Sequence, residues 1–580
     1  KSYVEKNYRK NPPKITKALE AYLSGVNAFV ATGSTPLEFT LLGIPKREYK
    51  IEDLVSISAY MSFTFSNAVQ QDPLISHIQK KMGSSYLKDL ALKWPEGDTQ
   101  IKVSNNHADT DLELATLFAK MENVLSRIPP FFGSNSWVIS GSRSKSGKVI
   151  LANDPHIGFS APSTWYEAHL KTPDWELYGH YLAGIPFAIL GHNRRMAWGV
   201  TMLQNDDLDY YRERANPANP DQVWFRDHWE ELKIIAETIS VKGGEDYPLR
   251  VRISRHGPII NDVLESVEKT ETQPVALAWE MLSNFENSTE QVFYELGHSA
   301  SLADSRSAVS NLHAPGLNIN YGDAEGNIAW WGAARLVIRP AHVNSFVILD
   351  GASGKDEVLG YRNFSENPQS ENPKSGILYN GNNQPGDTGS GLEAGYYAAE
   401  ERAHRIGELL NPAKKSWTAV EMQSIQLDTK NPRINNFRKH FLSVMSENSG
   451  RSEVFSNAAE VFKKWDGIHN IKAAGPTIFH RLFYHLCLGI FADEIEEKGT
   501  LVLLNVSLID KSIPLLLNNP QSPWWDNVDT SDNRETKVEI LGRAWINAVQ
   551  SLEKDYGSNV NTWEWGRIHT LEIKHLLGRQ

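Results

Sequence analysis

One cysteine, Cys487, in a chain of 580 residues leaves no intrachain disulfide framework and no cysteine-based zinc cage. It is expected to pack in a helix as a small hydrophobe. Lysine- and arginine-rich runs are missing too. With 59 Lys and Arg against 70 Asp and Glu, the net charge is -11, and the basic footprint that nucleic acid or an anionic membrane surface requires is absent. No stretch approaches the roughly 18 consecutive apolar residues of a spanning helix. The first residues, KSYVEKNYRKNPPK, lack the apolar segment of a signal peptide, so residue 1 is not read as a native secretion start. There is no GxGxxG opening a helix, no GxxxxGK[ST], no HExxH and no GxSxG elbow. Dinucleotide, P-loop, zincin and ordinary α/β-hydrolase chemistry therefore lack their mechanical parts.

What is present is a globular composition, 41% hydrophobic and 22% charged, with 17 Trp, 20 Tyr and 21 Phe to build thick cores and apolar ligand walls. Leu19, Tyr22, Leu23, Val26 and Phe29 recur at helical spacing over about 15 to 32. A second helix is expected from an N-cap at Asp53, then an exposed polar linker over about 93 to 111, then a short helix near 111 to 127 that ends at the paired prolines of RIPPFFGS. From Trp137 to about 340 strands dominate, among them the hairpin LNINYGD-AEGN-IAWWG with its turn at Glu325-Gly326. Residues 341 to 397, rich in Gly, Asn, Pro and Ser, read as a long surface excursion. Helices return at 398 to 410, 417 to 427, 452 to 464 and 475 to 494. The order helices, strands, helices argues for α+β with sheets covered by helices.

The chemistry centres on FFGSNSWVIS, residues 131 to 140. A serine hydroxyl is a weak nucleophile without a base beside it, and an N-terminal amine, with a pKa of about 7.7 to 8.0, is such a base. Cleavage between Gly133 and Ser134 would place nucleophile and base on one residue. Glycine at 133 suits it, because a residue without Cβ adopts the backbone that brings the hydroxyl onto the preceding carbonyl. On the dipeptide alone, an ordinary Gly-Ser turn before a strand fits as well.

The context decides more. SNSWVISGSRSKSGKVILANDPHIGFSAPSTWYEAHL, residues 134 to 170, resembles the start of the catalytic chain of the penicillin acylase family of N-terminal-nucleophile amidohydrolases. The likeness runs through the turn Asn153, Asp154, Pro155 and His156, through GHNRRMAWGVTMLQNDDLDYYRER (191 to 214) and LNINYGDAEGNIAWWGAARLVIR (317 to 339), and faintly through WEWGRIHT (563 to 570). Upstream, AYLSGVNAFV and PLEFTLLGIP look like the family's non-catalytic chain.

The resemblance implies an αββα four-layer sandwich with additional helical regions. It implies a non-catalytic chain over 1–95, a spacer over 96–133 and a catalytic chain over 134–580, two chains arising from one precursor by self-cleavage. Ser134 matches the nucleophile, Asn318 and the main chain of Met202 the oxyanion donors, His156 a residue that steadies the amine, and Arg339 an arginine that organises the amide-bearing strand. Asn318 has the alternative of a solvated strand residue, and His156 that of a turn histidine. The acyl pocket points to Met61, Phe65, Phe159 and Trp165. A structural Ca²⁺ is implied at Asp206, the Leu208 carbonyl and Asp209, completed from the other chain by Gln71 where relatives carry a glutamate. The expected reaction is hydrolysis of a linear or side-chain amide of a small N-acyl substrate such as a penicillin, in the periplasm or outside the cell. N-acyl homoserine lactones or aliphatic amides on the same scaffold form the first alternative. A secreted, aromatic-rich binding protein without catalysis forms the second.

Overall fold

A computed structural model describes residues 12–92, 110–117, 131–264, 273–283, 289–386, 394–411, 413–530, 532–575 and 577. In chain order, the strands that position the site are β1 (Phe131–Ile139), β2 (Ile150–Ile157), β3 (Trp165–Lys171), β4 (Glu176–Leu182), β5 (Leu190–His192), β6 (Met196–Met202), β7 (Leu208–Arg212), β8 (Val275–Trp279), β9 (Leu317–Asp323), β10 (Ile328–Ala333), β11 (Gln369–Glu371) and β12 (Ile377–Asn380). A three-stranded sheet has the order β2-β1-β12, and a seven-stranded sheet the order β11-β10-β9-β6-β5-β4-β3. All neighbours in both are antiparallel.

The period-2 geometry of strands explains how these sheets stack. On β9, Leu317, Ile319 and Tyr321 join a core with Val292, Phe293 and Leu296 of helix Thr289–His298, Val309 of helix Leu302–Val309, and Ile15 and Leu19 of helix Pro13–Thr32. The alternate residues, Asn318, Asn320 and Gly322, take the opposite face, where a β-carbon on Gly322 would meet Val149 at 2.5 Å and Val138 at 3.3 Å. On β1, Trp137 and Ile139 point away from the second sheet into a core with Ile406, Leu410, Trp417 and Met422. The layers are thus helix, sheet, sheet, helix, the expected αββα sandwich.

Between the two sheets near Asn153 the contacts are small or polar. The Asn153 amide donates to Asn135 O and Val200 O, each at 3.0 Å, and accepts from Val200 N at 2.8 Å, so one side chain staples β2 to both β1 and β6. Gly199 stands opposite, where a β-carbon would lie 2.9 Å from Asn153 Cβ. Packing glycine against an amide lets the two sheets approach at the level of Ser134.

A helical lobe completes the molecule around helices Glu453–Lys464, Gly475–Leu504 and Lys537–Tyr556, with Trp524, Trp525, Trp545 and Trp563 fully buried. Truncating one of these indoles to alanine costs about 3–5 kcal/mol. Thr536 and Glu539 close a capping box at the start of the last helix. Cys487 lies in the second of these helices, fully buried, as expected.

Several expected boundaries shift. The helix expected from Asp53 begins at Ile51, and Asp53 is the third-position acceptor for Lys50 N (2.8 Å) rather than the cap. Helices at Ala68–Met82 and Thr289–Val309, the latter in two pieces, fill stretches not read as helical. Within the expected spacer, residues 110–117 form a helix with Leu112, Leu114 and Ala115 buried. Its Asp111 is paired with Lys80 at 2.5 Å and with Arg212. The remainder of the spacer lies outside the described residues, apart from Phe131, Phe132 and Gly133 of β1. Among the described residues no helix is long and apolar enough to cross a membrane.

Candidate active site

β1 runs unbroken through the Gly133-Ser134 link, with a register shift against β2 between Phe131 and Gly133. Gly133 has φ +156, and a β-carbon there would lie 3.2 Å from Asn382 Oδ1 and 3.3 Å from Arg402 Nη2. Glycine suits this close approach and a φ that side-chain-bearing residues rarely adopt. The link itself is buried, but Phe131, Phe132 and Asn135 beside it line a cleft of about 1220 Å³.

Ser134 is 3% exposed. Its Oγ accepts from Met202 N–H at 3.3 Å and from Asn382 Nδ2 at 3.2 Å, while its own N–H donates to Asn382 Oδ1 at 2.7 Å. Two N–H groups from separate elements, the end of β6 and the loop after β12, thus converge on one hydroxyl. Arg402, at the start of helix Glu401–Leu409, fixes this geometry: Nη1 donates to Ser134 O (2.9 Å) and Asn135 Oδ1 (2.7 Å), and Nη2 to Asn382 Oδ1 (2.9 Å). Burial lowers the Arg402 pKa from its ordinary value, partly offset by Asp510 and Asp154. His156 lies across the β1–β2 ladder from Gly133, its Nε2 3.1 Å from Asp154 Oδ2.

Two expected residues are placed elsewhere. Asn318 is buried, not solvated, but its amide donates to Thr201 Oγ1 (3.1 Å) and Met202 O (3.0 Å), and its carbonyl accepts from Trp330 Nε1 (3.0 Å). It braces the strand that presents Met202 N–H, where Met202 O also accepts from Asn382 Nδ2 at 2.9 Å. Arg339 does not organise that strand. Its guanidinium bonds Asp209 (2.8 and 3.1 Å) and approaches Asp206 Oδ2 at 3.3 Å. The positions sequence reasoning missed are Asn382 and Arg402. Asn382 sits at φ +64, a left-handed conformation that asparagine tolerates better than most residues, in the Asn-rich stretch YNGNNQ. That conformation in an Asn cluster was the available signal.

Of the expected acyl-pocket residues, Phe65 lines the cleft, edge-to-face with Phe131 at 5.0 Å. Met61 is buried in the core beneath, Trp165 packs against Phe131 at 6.5 Å, and Phe159 is exposed away from the cleft lining.

The expected metal residues were tested against the same geometry. Asp206 and Asp209 come together with Asp72, whose Oδ1 accepts from Tyr396 OH at 2.7 Å. Asp72, not its neighbour Gln71, brings the first segment's oxygen to the cluster; Gln71 is buried with its Oε1 unbonded. Leu208 is buried in β7 opposite Trp279. Burial raises the pKa of Asp72 and Asp209 and pushes Asp206 up to about 7, with Arg339 opposing at each. Ca²⁺ needs six to eight oxygens. Here a guanidinium occupies the corner between Asp206 and Asp209, and among the described residues no group of three or more His, Cys, Asp or Glu is arranged to hold a metal ion. The buried oxygens left without a hydrogen-bond partner there are Asp72 Oδ2, Asp206 Oδ2, Asp209 Oδ1 and Gln71 Oε1.

A family model described as Penicillin amidase matches residues 1–580. An acyl-homoserine lactone acylase, QuiP, of Pseudomonas aeruginosa is 26% identical, covering 98% of this chain and 70% of that protein. Penicillin acylase 2 proenzyme of a Pseudomonas species is 23% identical over 97% of this chain and 71% of its own. Among solved structures, thermostable penicillin G acylase from Alcaligenes faecalis superposes with a TM-score of 0.60 at 21% identity, covering 74% of this chain and 80% of the other.

Proposed function

The chain belongs to the penicillin amidase family and is an N-acyl amide hydrolase of the N-terminal-nucleophile type, and from that premise we propose that it matures by cleavage between Gly133 and Ser134 and uses Ser134 as its nucleophile. The non-catalytic binding-protein reading is set aside. The observation that carries the proposal is the pair of N–H donors, Met202 N and Asn382 Nδ2, converging on Ser134 Oγ beside the cleft.

In the mature chain the α-amine of Ser134 takes the Oγ proton, directly or through a water, as Oγ attacks the amide carbon. The carbonyl oxygen becomes an oxyanion held by Met202 N–H and Asn382 Nδ2, each such donor contributing about 2.7–4 kcal/mol to the barrier reduction. The protonated amine returns its proton to the leaving nitrogen, the amine product departs, and water then hydrolyses the Ser134 ester to release the acid. Arg402 holds Asn382 and the Ser134 carbonyl in register throughout, and His156 steadies the amine.

The acyl group is assigned to the wall of Phe65 and Trp165, against which the spacer's Phe131 packs before the cut. A penicillin side chain is one substrate reading. An N-acyl homoserine lactone is the second, favoured by the relative that matches 98% of the chain and is named for that activity. One methylene in an apolar pocket changes preference by only about 1–3 kcal/mol. A panel of phenylacetyl, glutaryl and long-chain acyl amides, with acyl homoserine lactones beside penicillins, separates the two by kcat/KM; hydrolysis of none by processed protein would refute the assignment. We assign the cation of the Asp206–Asp209 corner to Arg339 in place of Ca²⁺. We propose a location in the periplasm or outside the cell, which fractionation of the producing cells tests.

A further inference from the structure

Residues 110–117 fall within the spacer that the resemblance implies over 96–133, yet they are packed like a permanent part of the molecule. Resting on the reading that Ser134 is freed by cleavage, we propose that residues 110–117 stay with the enzyme after the cut: they belong to the non-catalytic chain, pin it to the catalytic chain through Asp111, and give Thr116 to the wall of the substrate cleft.

Asp111 is fully buried between the two segments that the cut would separate. Its Oδ2 lies 2.5 Å from Lys80 Nζ, on helix Ala68–Met82, and its Oδ1 accepts from Arg212 Nη2, at the end of β7 on the catalytic side. Both cations are themselves nearly buried, and among the described residues Arg212 Nη1 has no hydrogen-bond partner. Burial lowers the Lys80 pKa; Asp111 opposes this and the nearby Arg212 adds to it. Excising Asp111 would leave two interior cations facing each other with neither water nor a counter-charge, which is strongly destabilising.

The same short helix closes two cores. Leu112 and Ala115 belong to the core of the helical lobe, where a β-carbon on Gly499 would lie 3.2 Å from Leu112 Cδ1. Leu114 belongs to another core, with Val69, Tyr210 and Trp279. Losing the helix would open both to water. Phe132, beside the cut, is exposed by contrast, as a discarded residue can be. Thr116 gives its hydroxyl to Glu113 O at 3.0 Å and lines the cleft together with Phe63, Phe65 and Val69. The cleft of the mature enzyme therefore keeps a wall from this helix, and residue 116 becomes a determinant of which substrates fit.

The first test needs no variant. Wild-type enzyme that hydrolyses an N-acyl amide is denatured, its chains are separated, and each is mapped by peptide mass spectrometry. The smaller chain is expected to extend through Leu117 or beyond, and the larger to begin at Ser134. A smaller chain ending before Asp111 in an active preparation overturns the inference and leaves the Ser134 reading standing. A larger chain beginning elsewhere overturns the Ser134 reading and this inference with it. The second test reads the cleft wall and the pin in processed enzyme. Thr116→Phe is expected to change kcat/KM on at least one member of the acyl panel by about tenfold or more, and Asp111→Asn to lower the urea concentration at which the two chains separate. Wild-type kinetics in Thr116→Phe, or a wild-type midpoint in Asp111→Asn, overturns the inference, because a segment lost on maturation would give both.

Discussion

Replacing Asn382 by glycine separates the two candidate oxyanion amides. Asn382 Nδ2 donates to Ser134 Oγ at 3.2 Å and to Met202 O at 2.9 Å, whereas the Asn318 amide donates to Thr201 Oγ1 and Met202 O. Glycine keeps φ +64 at 382 without the strain of about 1–3 kcal/mol that alanine would meet there. The change removes one of two donors, Met202 N–H remaining, together with the bonds Asn382 makes to Ser134 N–H, Arg402 and Met202 O; a single such donor is worth about 10²- to 10³-fold in kcat. Asn318→Ala leaves Trp330 Nε1 and Thr201 Oγ1 short of a partner, a stability cost of about 1–3 kcal/mol per group, with kcat reduced far less. The assay is kcat and KM of the processed fraction on the best substrate of the acyl panel, with thermal melts of both variants. Asn382→Gly retaining wild-type kcat, or Asn318→Ala losing more kcat than Asn382→Gly, would refute the assignment.

Arg339→Met breaks a buried charge pair and strands Asp206 and Asp209, so it is expected to destabilise by about 3–5 kcal/mol by denaturant unfolding; the wild-type melt is expected to be unmoved by EDTA, and a fall on chelation would restore calcium to the corner. His256 sits between Glu213 (2.8 Å) and Glu357 (2.7 Å), stacked on Tyr211. Burial would lower its pKa, but the two carboxylates outweigh burial and raise it to about 9. Because the folded value lies above the unfolded one, about 6.5, the stability this pair contributes, about 3 kcal/mol, is complete below pH 6.5 and is lost as pH rises through 9. Urea unfolding of wild type and His256→Gln across that window checks it: the variant should be the flatter of the two, and equal slopes would contradict the assignment.

The parts of the site that are local in sequence were legible. Ser134, His156 and Met202 fall within segments whose strand pattern and turn residues are continuous, and the structure joins Ser134 to Met202 N–H and pairs His156 with Gly133. Asn382 and Arg402 were not, because they arrive from 248 and 268 residues away through a Gly- and Asn-rich stretch whose composition is that of a surface loop. What composition cannot convey is that β12 pairs with β1 at Ser136–Asn380 and so delivers the following loop onto Ser134. Asn318 misled for the opposite reason. Alternation in LNINY signals one wet face, but both faces of β9 are buried, and its polar face lies between two sheets. Arg339 was attached to the wrong neighbour because its partners, Asp206 and Asp209, lie in the loop after β6 and on β7, which pairs with β8 and not with β9. The αββα layering itself followed from the order of helical and strand-like segments together with the resemblance.

The central claim is that Ser134 becomes a chain end. Mass spectrometry of the purified protein, with N-terminal sequencing of each species, tests it directly: two chains are expected, one beginning Ser-Asn-Ser-Trp-Val, in any preparation that hydrolyses an N-acyl amide. An active preparation with one intact mass, or with its new terminus at another residue, would contradict the account.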